Sequence, residues 1–235
     1  MTITKTGSGG AESRQAAEAP RGRGRPPVRS DDETRAIILE AARAEFATSG
    51  YSATSMEQVA RRASVSTKTL YRLLPNKAAL FEAMVTDRID RFASIVKLRP
   101  CEGRDIEGAL SEALRVCGEL ILDGEVIALQ RMIIADSDRS PEAAETFYDK
   151  AIRRTEETLA GWLRRQDTRG LLRLGDTDAV AAAGMLLGML AFQPQRAVLF
   201  GHKQAPSRHE IEARAKACAA LFLKGAAADA GRPGA

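Results

Sequence analysis

Between Gln58 and Phe81 the chain carries five basic residues, Arg61, Arg62, Lys68, Arg72 and Lys77, and no acidic one. Carboxylates gather in the stretches before and after it. A segment cleared of like charge suits a polyanion, because Lys and Arg attract phosphates that Asp and Glu would repel. Inside it Thr67, Lys68 and Thr69 follow Ser66, a residue type that favours helix N-caps. Short or flexible donors on the first turn of a helix can reach base edges in a major groove, so the pattern predicts sequence readout of double-stranded DNA. A capped surface helix with a solvated run of charge has the same spacing, and on spacing alone both readings stand.

Helices must present these residues. Asp31, Asp32 and Glu33 load the positive end of a helix dipole, and Ile38, Ala41, Ala42 and Phe46 follow at helical spacing, which predicts a first helix ending near Gly50. Thr54/Glu57 and Ser55/Gln58 both fit a capping box that opens a short helix through Val59, Ala60 and Ala63. After a break at Ala63-Ser64-Val65, Ser66 caps a further short helix through Tyr71, and Pro75-Asn76 stops it. Two short helices separated by three residues, flanked by longer ones, make a helix-turn-helix whose second helix enters the major groove. A long amphipathic helix begins at Lys77 with Phe81, Val85, Ile89, Phe92 and Val96 on one face, closed by Pro100 and Gly103.

Five more helices are predicted beyond Gly103, at about Asp105–Leu122, Val126–Ala135, Glu142–Gln166, Asp176–Ala197 and Arg208–Lys224. Asp123-Gly124, Pro141, Gly170/Gly175 and Pro206 separate them, and no stretch alternates long enough to demand a strand. The fold class expected is all-α: a basic arm over 1–30, a three-helix helix-turn-helix domain over 31–82, a larger helical domain over 83–225, to which the resemblance described below gives ligand binding and dimerisation, and a tail over 226–235.

Residues 1–30 hold six Lys/Arg against two Asp/Glu, so the whole formal charge of +4 resides there. Within Arg21-Gly22-Arg23-Gly24-Arg25-Pro26-Pro27 a Gly-Arg-Pro core is similar to an AT-hook, and arginines on a thin backbone can enter a narrow A·T-rich minor groove. A solubilising tail with nonspecific phosphate attraction has the same composition. Cys101, Cys117 and Cys218 form an odd, widely spaced set without C-x-x-C, which points to a reducing compartment. The longest stretch free of charge, Ala179–Phe192, has 14 residues, too short for a membrane span, and the first 20 residues lack the apolar region of a secretory signal. A cytoplasmic protein without membrane association is expected. His202 and His209 are the only histidines, and no catalytic constellation, metal-ligand pattern or nucleotide-binding glycine motif is present; an enzyme is not expected, nor a cofactor or metal.

Gly50-Tyr51, Thr54-Ser55-Met56, Val59-Ala60, Ala63, Val65-Ser66, Thr69-Leu70-Tyr71 and Lys77-Ala78-Ala79-Leu80 stand in the order and spacing of the helix-turn-helix signature that TetR/AcrR-type regulators share. The resemblance covers roughly residues 35–82. From about Asp123 to Gly201 the chain also looks somewhat like the AefR-like ligand domains. The resemblance implies that Thr54, Ser55, Tyr71 and Lys77 contact phosphates, with Ser66 and Arg72 at the same surface, and that Thr67, Lys68 and Thr69 face bases. Two departures stand out: Ser64 occupies the turn position usually held by Gly, and Arg72-Leu73 replaces a common His and aromatic.

The resemblance further implies a homodimer built by the last two helices. Ala181, Gly184 and Gly188 leave one helix face nearly bare, and Ile211, Ala215, Cys218, Ala219 and Phe222 form a stripe, so Ala181, Gly184, Gly188, Ile211, Cys218 and Phe222 are the expected interface. Packing within one subunit would use the same residues. Phe92, Leu114, Ile134 and Phe147 are the candidate pocket for a small apolar or amphipathic effector. The function expected is a sequence-specific regulator, a repressor released from its operator by that effector, with an activator or an architectural DNA-binding protein as the alternative.

Overall fold

The computed structural model describes residues 29–98 and 105–225, and the regular elements within them are all helical. The arm with Arg21, Arg23 and Arg25, the linker with Cys101, the tail over 226–235 and the side chain of Val96 lie outside the described residues.

Polar caps set the N-terminal boundaries. Helix α1 (Asp31–Ser49) begins at Ser30, whose Oγ accepts the Glu33 N–H at 3.1 Å while Glu33 Oε2 accepts the Ser30 N–H at 2.9 Å. Of the two boxes open to α2 (Met56–Arg62), Ser55/Gln58 forms: the Gln58 N–H donates to Ser55 Oγ at 3.2 Å, and the Ser55 N–H to Gln58 Oε1 at 2.7 Å. The Thr54 hydroxyl donates to the Gly50 carbonyl instead, at 2.7 Å. Helix α3 (Thr67–Leu73) starts on Ser66, whose Oγ accepts the Thr69 N–H at 3.0 Å.

The turn between α2 and α3 is a Schellman closure. The Val65 N–H donates to the Ala60 carbonyl at 3.0 Å and the Ser64 N–H to that of Arg61 at 3.1 Å. Ser64 sits at φ 54°, while Gly170 and Gly201 hold the same position at the ends of later helices. A left-handed residue with a Cβ costs about 1–2 kcal/mol, partly offset by the backbone entropy that glycine loses on folding. Ser64→Gly should therefore raise stability by up to about 1 kcal/mol, read as a denaturation midpoint shifted upward. A fall would mean that the serine side chain stabilises the turn by more than the strain costs.

Helix α4 (Lys77–Leu98) leads from this head into α5 (Ile106–Ile121), α6 (Gly124–Asp136) and α7 (Pro141–Phe147). The single helix expected over Glu142–Gln166 is divided: α7 passes into a π-helical stretch, Tyr148–Arg153, before α8 (Arg154–Thr168). Apolar periodicity carries no signal for a π turn, which inserts without breaking the helix and recurs at functional sites.

Helix α9 (Ala179–Leu199) continues through Pro194. Proline has no N–H to offer the carbonyl four residues earlier, that of Leu190. Arg214 of α10 (Arg208–Gly225) takes that place: Nε donates to Leu190 O at 2.5 Å, Nη2 to Met189 O at 2.7 Å and Nη1 to Gln193 Oε1 at 3.1 Å.

Three apolar clusters hold the described residues together. One surrounds the stacked and edge-on rings of Phe46, Tyr51 and Phe81 and does not end with the head, continuing through Met84, Val85 and Ile89 to Ile133, Ala143, Phe147 and Ala151. The second joins Phe92 of α4 to α5, α8, α9 and α10, and a small third one gathers Leu122, Ala191 and Ile211.

This packing corrects half of the expected interface. Ile211 and Cys218 are buried inside the subunit, and a Cβ on Gly118 of α5 would lie 2.6 Å from Ile211 Cγ2, so the α10 stripe faces α5. Gly184 faces α8, where an added Cβ would meet Glu156 Oε1 at 3.8 Å. Ala181 and Gly188 are exposed and Phe222 half-buried. The apolar surface left on α9 is a stripe outside the expected set: Met185 (63% exposed), Met189 (38%) and Phe192 (60%), at i, i+4 and i+7.

Candidate nucleic-acid interface

Ser66, Thr67 and Lys68 are exposed on one side of α3 and Thr69 is half-buried, while Leu70 on the opposite side is fully enclosed. The buried leucine fixes the rotation of α3, and that rotation turns the short polar side chains outward. Lys68 and Arg61 are exposed and make no ion pair among the described residues, so both are open to a phosphate at this surface.

Two other proposed contacts are already engaged. The Tyr71 hydroxyl donates to Glu57 Oε1 at 3.2 Å. Glu57 is held below the ordinary carboxylate range by its own backbone N–H and by that phenol, and Tyr71 is pushed up, first by desolvation and then by Glu57. Arg72 forms a two-pronged pair with Asp31, both contacts at 2.7 Å, and its hydrogen bonds hold the Asp31 carboxyl below its usual value. The acid-free run in sequence is thus not acid-free in space, because α1 returns two carboxylates to it, Asp31 on Arg72 and Glu45 on Arg62 at 2.9 Å, and the start of α2 returns Glu57.

Lys77 has the largest reassignment. Its Nζ donates to the carbonyls of Tyr51 at 2.9 Å, Ser52 at 3.1 Å and Thr54 at 3.1 Å, and lies 4.7 Å from the Tyr51 ring centroid. An ammonium has three N–H bonds, and all three are used. The phosphate clamp implied by the resemblance would require giving one up; the geometry makes Lys77 the fastener of the loop between α1 and α2. Thr54 is buried with its hydroxyl committed to Gly50, and the Ser55 hydroxyl is spent on capping α2.

The same loop is gripped from the C-terminal side. The Ser52 N–H donates to Asp136 Oδ2 at 3.0 Å, and the Ser52 and Ser140 hydroxyls are 3.2 Å apart. The Ser52 N–H holds the Asp136 carboxyl below its ordinary value. Asp136 is the last residue of α6, so this helix ends on the head. Nothing in the sequence singles it out, since the contact spans 84 positions.

A cavity of about 410 Å³ lies along the first half of α6, enclosed by Ala44 and Ala47 of α1, Ile89 of α4, Leu129 of α6, Phe147 and Leu187. Of the four expected pocket residues only Phe147 lines it. Phe92 and Leu114 are buried in the second apolar cluster, and Ile134 is 66% exposed. Bulk and apolarity, which these four residues share, do not separate filled core, surface and cavity wall. The Cys117 thiol, pushed up to about 12 by burial, is held as the neutral thiol, and Cys218 is raised by burial as well.

No helix among the described residues is long and apolar enough to cross a membrane. Residues 38–84 match the model of the bacterial regulatory proteins of the tetR family, and residues 108–225 that of the AefR-like transcriptional repressor C-terminal domain. The HTH-type transcriptional repressor ComR of Escherichia coli K12 is 29% identical over 151 residues, covering 63% of this chain and 70% of that protein. A TetR-family regulator from Mesorhizobium loti superposes with a TM-score of 0.71 at 31% identity, over 84% of this chain and 98% of its own. The flavonoid-responsive regulator FrrA does so at 0.61 and 28%, over 83% and 97%. With both of its halves matched and its helix-turn-helix built from the residues that carry the signature, the chain belongs to the TetR family of bacterial transcriptional regulators.

Proposed function

We propose that the chain is a cytoplasmic, homodimeric repressor that reads operator DNA through Thr67, Lys68 and Thr69 and is released when a small apolar or amphipathic molecule fills the cavity along α6. In this reading residues 31–82 are the reading head, residues 83–225 bind the effector and the second subunit, and the arm with Arg21, Arg23 and Arg25 adds affinity from outside the core operator. The observation that carries it is the double engagement of α6, which lines the cavity with its first half and holds the head with Asp136. An effector that binds one position of α6 better than another shifts the head's population between two placements. The names of ComR, a repressor, and FrrA, a flavonoid-responsive regulator, support the repressor and small-molecule parts.

The test begins with selection of bound sequences from random double-stranded DNA, which should yield a palindrome with half-sites about one helical turn apart. Thr67, Lys68 and Thr69 to Ala should each relax discrimination at particular base pairs by about 1–3 kcal/mol for a good contact. Equal weakening on all sequences would reduce α3 to a phosphate-binding surface, and absence of any selected sequence would favour an architectural role.

A further inference from the structure

Five charged residues line the cavity, and four of them are matched. Arg43 pairs with Glu40, and Arg88 with Glu125 as well as with Asp123 just outside. Neighbouring charges on the same helices are matched too, Lys150 with Glu82 at 2.7 Å and Arg154 with Asp90. The fifth, Glu156 of α8, is half-buried and makes no ion pair or side-chain hydrogen bond among the described residues. A carboxylate that has given up part of its hydration without gaining a counter-charge is costly, and a cation brought to it is correspondingly favoured.

The residue beside it has the same polarity. Thr155 is buried in the cavity wall and donates its hydroxyl proton to the Ala151 carbonyl at 2.7 Å, so towards the cavity its oxygen can only accept. These two acceptors follow directly on the π-helical stretch, two of whose residues, Ala151 and Ile152, also line the wall. The walls from α1, α4 and α6 supply alanine, valine, isoleucine, leucine and methionine side chains, and their polar groups are matched, Arg43 with Glu40, Arg88 with Glu125 and the Gln130 amide oxygen with Gln195. One end accepts and carries net negative charge; the remainder takes hydrocarbon.

We propose that the cavity selects an amphiphile with a cationic, hydrogen-bond-donating head, of the alkylammonium class, its head on Glu156 and Thr155 and its chain between α1 and α6. This rests on the reading of the cavity as the effector site. A primary amine stays protonated at neutral pH, as a lysine side chain does, and supplies both the charge and the donors.

Calorimetric titration of the full chain at pH 7 with decylammonium, decanol and decanoate, below their aggregation limits, tests it. Decylammonium should bind about 10-fold or more tighter than decanol, with decanoate weakest. Glu156→Gln, which keeps the shape, should erase the preference for ammonium over alcohol while leaving decanol affinity in place. Equal affinities for the three heads, or an ammonium preference that survives Glu156→Gln, would overturn the proposed class and leave the cavity a ligand site. Failure of all three to bind would remove the effector reading and this proposal with it. Leu129→Trp, or Ala44→Phe if the first does not fold, fills the cavity and should abolish binding; binding that persists in a folded filled variant places the amine elsewhere and overturns the assignment.

Discussion

Phe192→Arg is expected to sediment as a monomer and to lose operator affinity by about 10²- to 10⁴-fold, the gain that joining two binding units typically brings. Met185, Met189 and Phe192 expose an apolar stripe on α9, and Leu221 of α10 is 61% exposed as well. A two-fold axis places each residue of such a stripe opposite the same patch of the partner, so one substitution enters the interface twice. Two guanidinium groups brought together there would be desolvated without a counter-charge, at a cost of several kcal/mol. The subunit should tolerate the change, because Phe192 is already 60% exposed and its contact is with a surface arginine, Arg196. Operator binding needs two heads about 34–36 Å apart, and a monomer supplies one. Gly188→Leu probes the same surface: a Cβ at Gly188 meets nothing within 4 Å in its own subunit, so any disruption would come from a partner. An unperturbed dimer in both variants would move the interface elsewhere.

The reading of the sequence succeeded where the signal is local. Ser55 and Ser66 cap helices because a short oxygen-bearing side chain next to a helix start has few alternatives, and Pro141 and Gly170 start or stop helices through their own backbone restrictions. It failed where the determining contact is remote. The stripe Ile211–Phe222 is apolar at helical spacing whether it faces α5 or a second subunit, and only the packing of Ile211 on Gly118, so close that a Cβ there would lie 2.6 Å from Ile211 Cγ2, decides between them. Asp31 and Glu57 lie outside the acid-free run and still reach Arg72 and Tyr71 inside it. Arg214 is one cation among many until Pro194 leaves a carbonyl for it. Met185, Met189 and Phe192 stand at helical spacing in the sequence, but the small residues Ala181, Gly184 and Gly188 beside them present an equally regular face, and spacing does not say which of the two is left exposed.

Lys77→Met is expected to lower the stability of the protein by about 2–4 kcal/mol, a large part of what a domain of this size possesses. Three carbonyls of one loop converge on its Nζ within 3.1 Å, and the next residue, Ser55, begins α2. Without the ammonium those carbonyls turn to water, the loop loosens, and α2 loses the fixed start that sets its angle to α3. Operator affinity should then fall for all sequences alike, in step with the lost stability. A phosphate contact makes the opposite forecast: the denaturation midpoint stays in place and the salt dependence of binding flattens by about one unit. Lys77→Arg separates the two roles because it keeps the charge and changes the geometry. A planar guanidinium cannot place donors on three carbonyls that surround a point, although it can serve a phosphate at least as well as an ammonium. Loss of stability in Lys77→Arg would establish the fastener; unchanged stability with near-normal operator binding would return Lys77 to the DNA backbone.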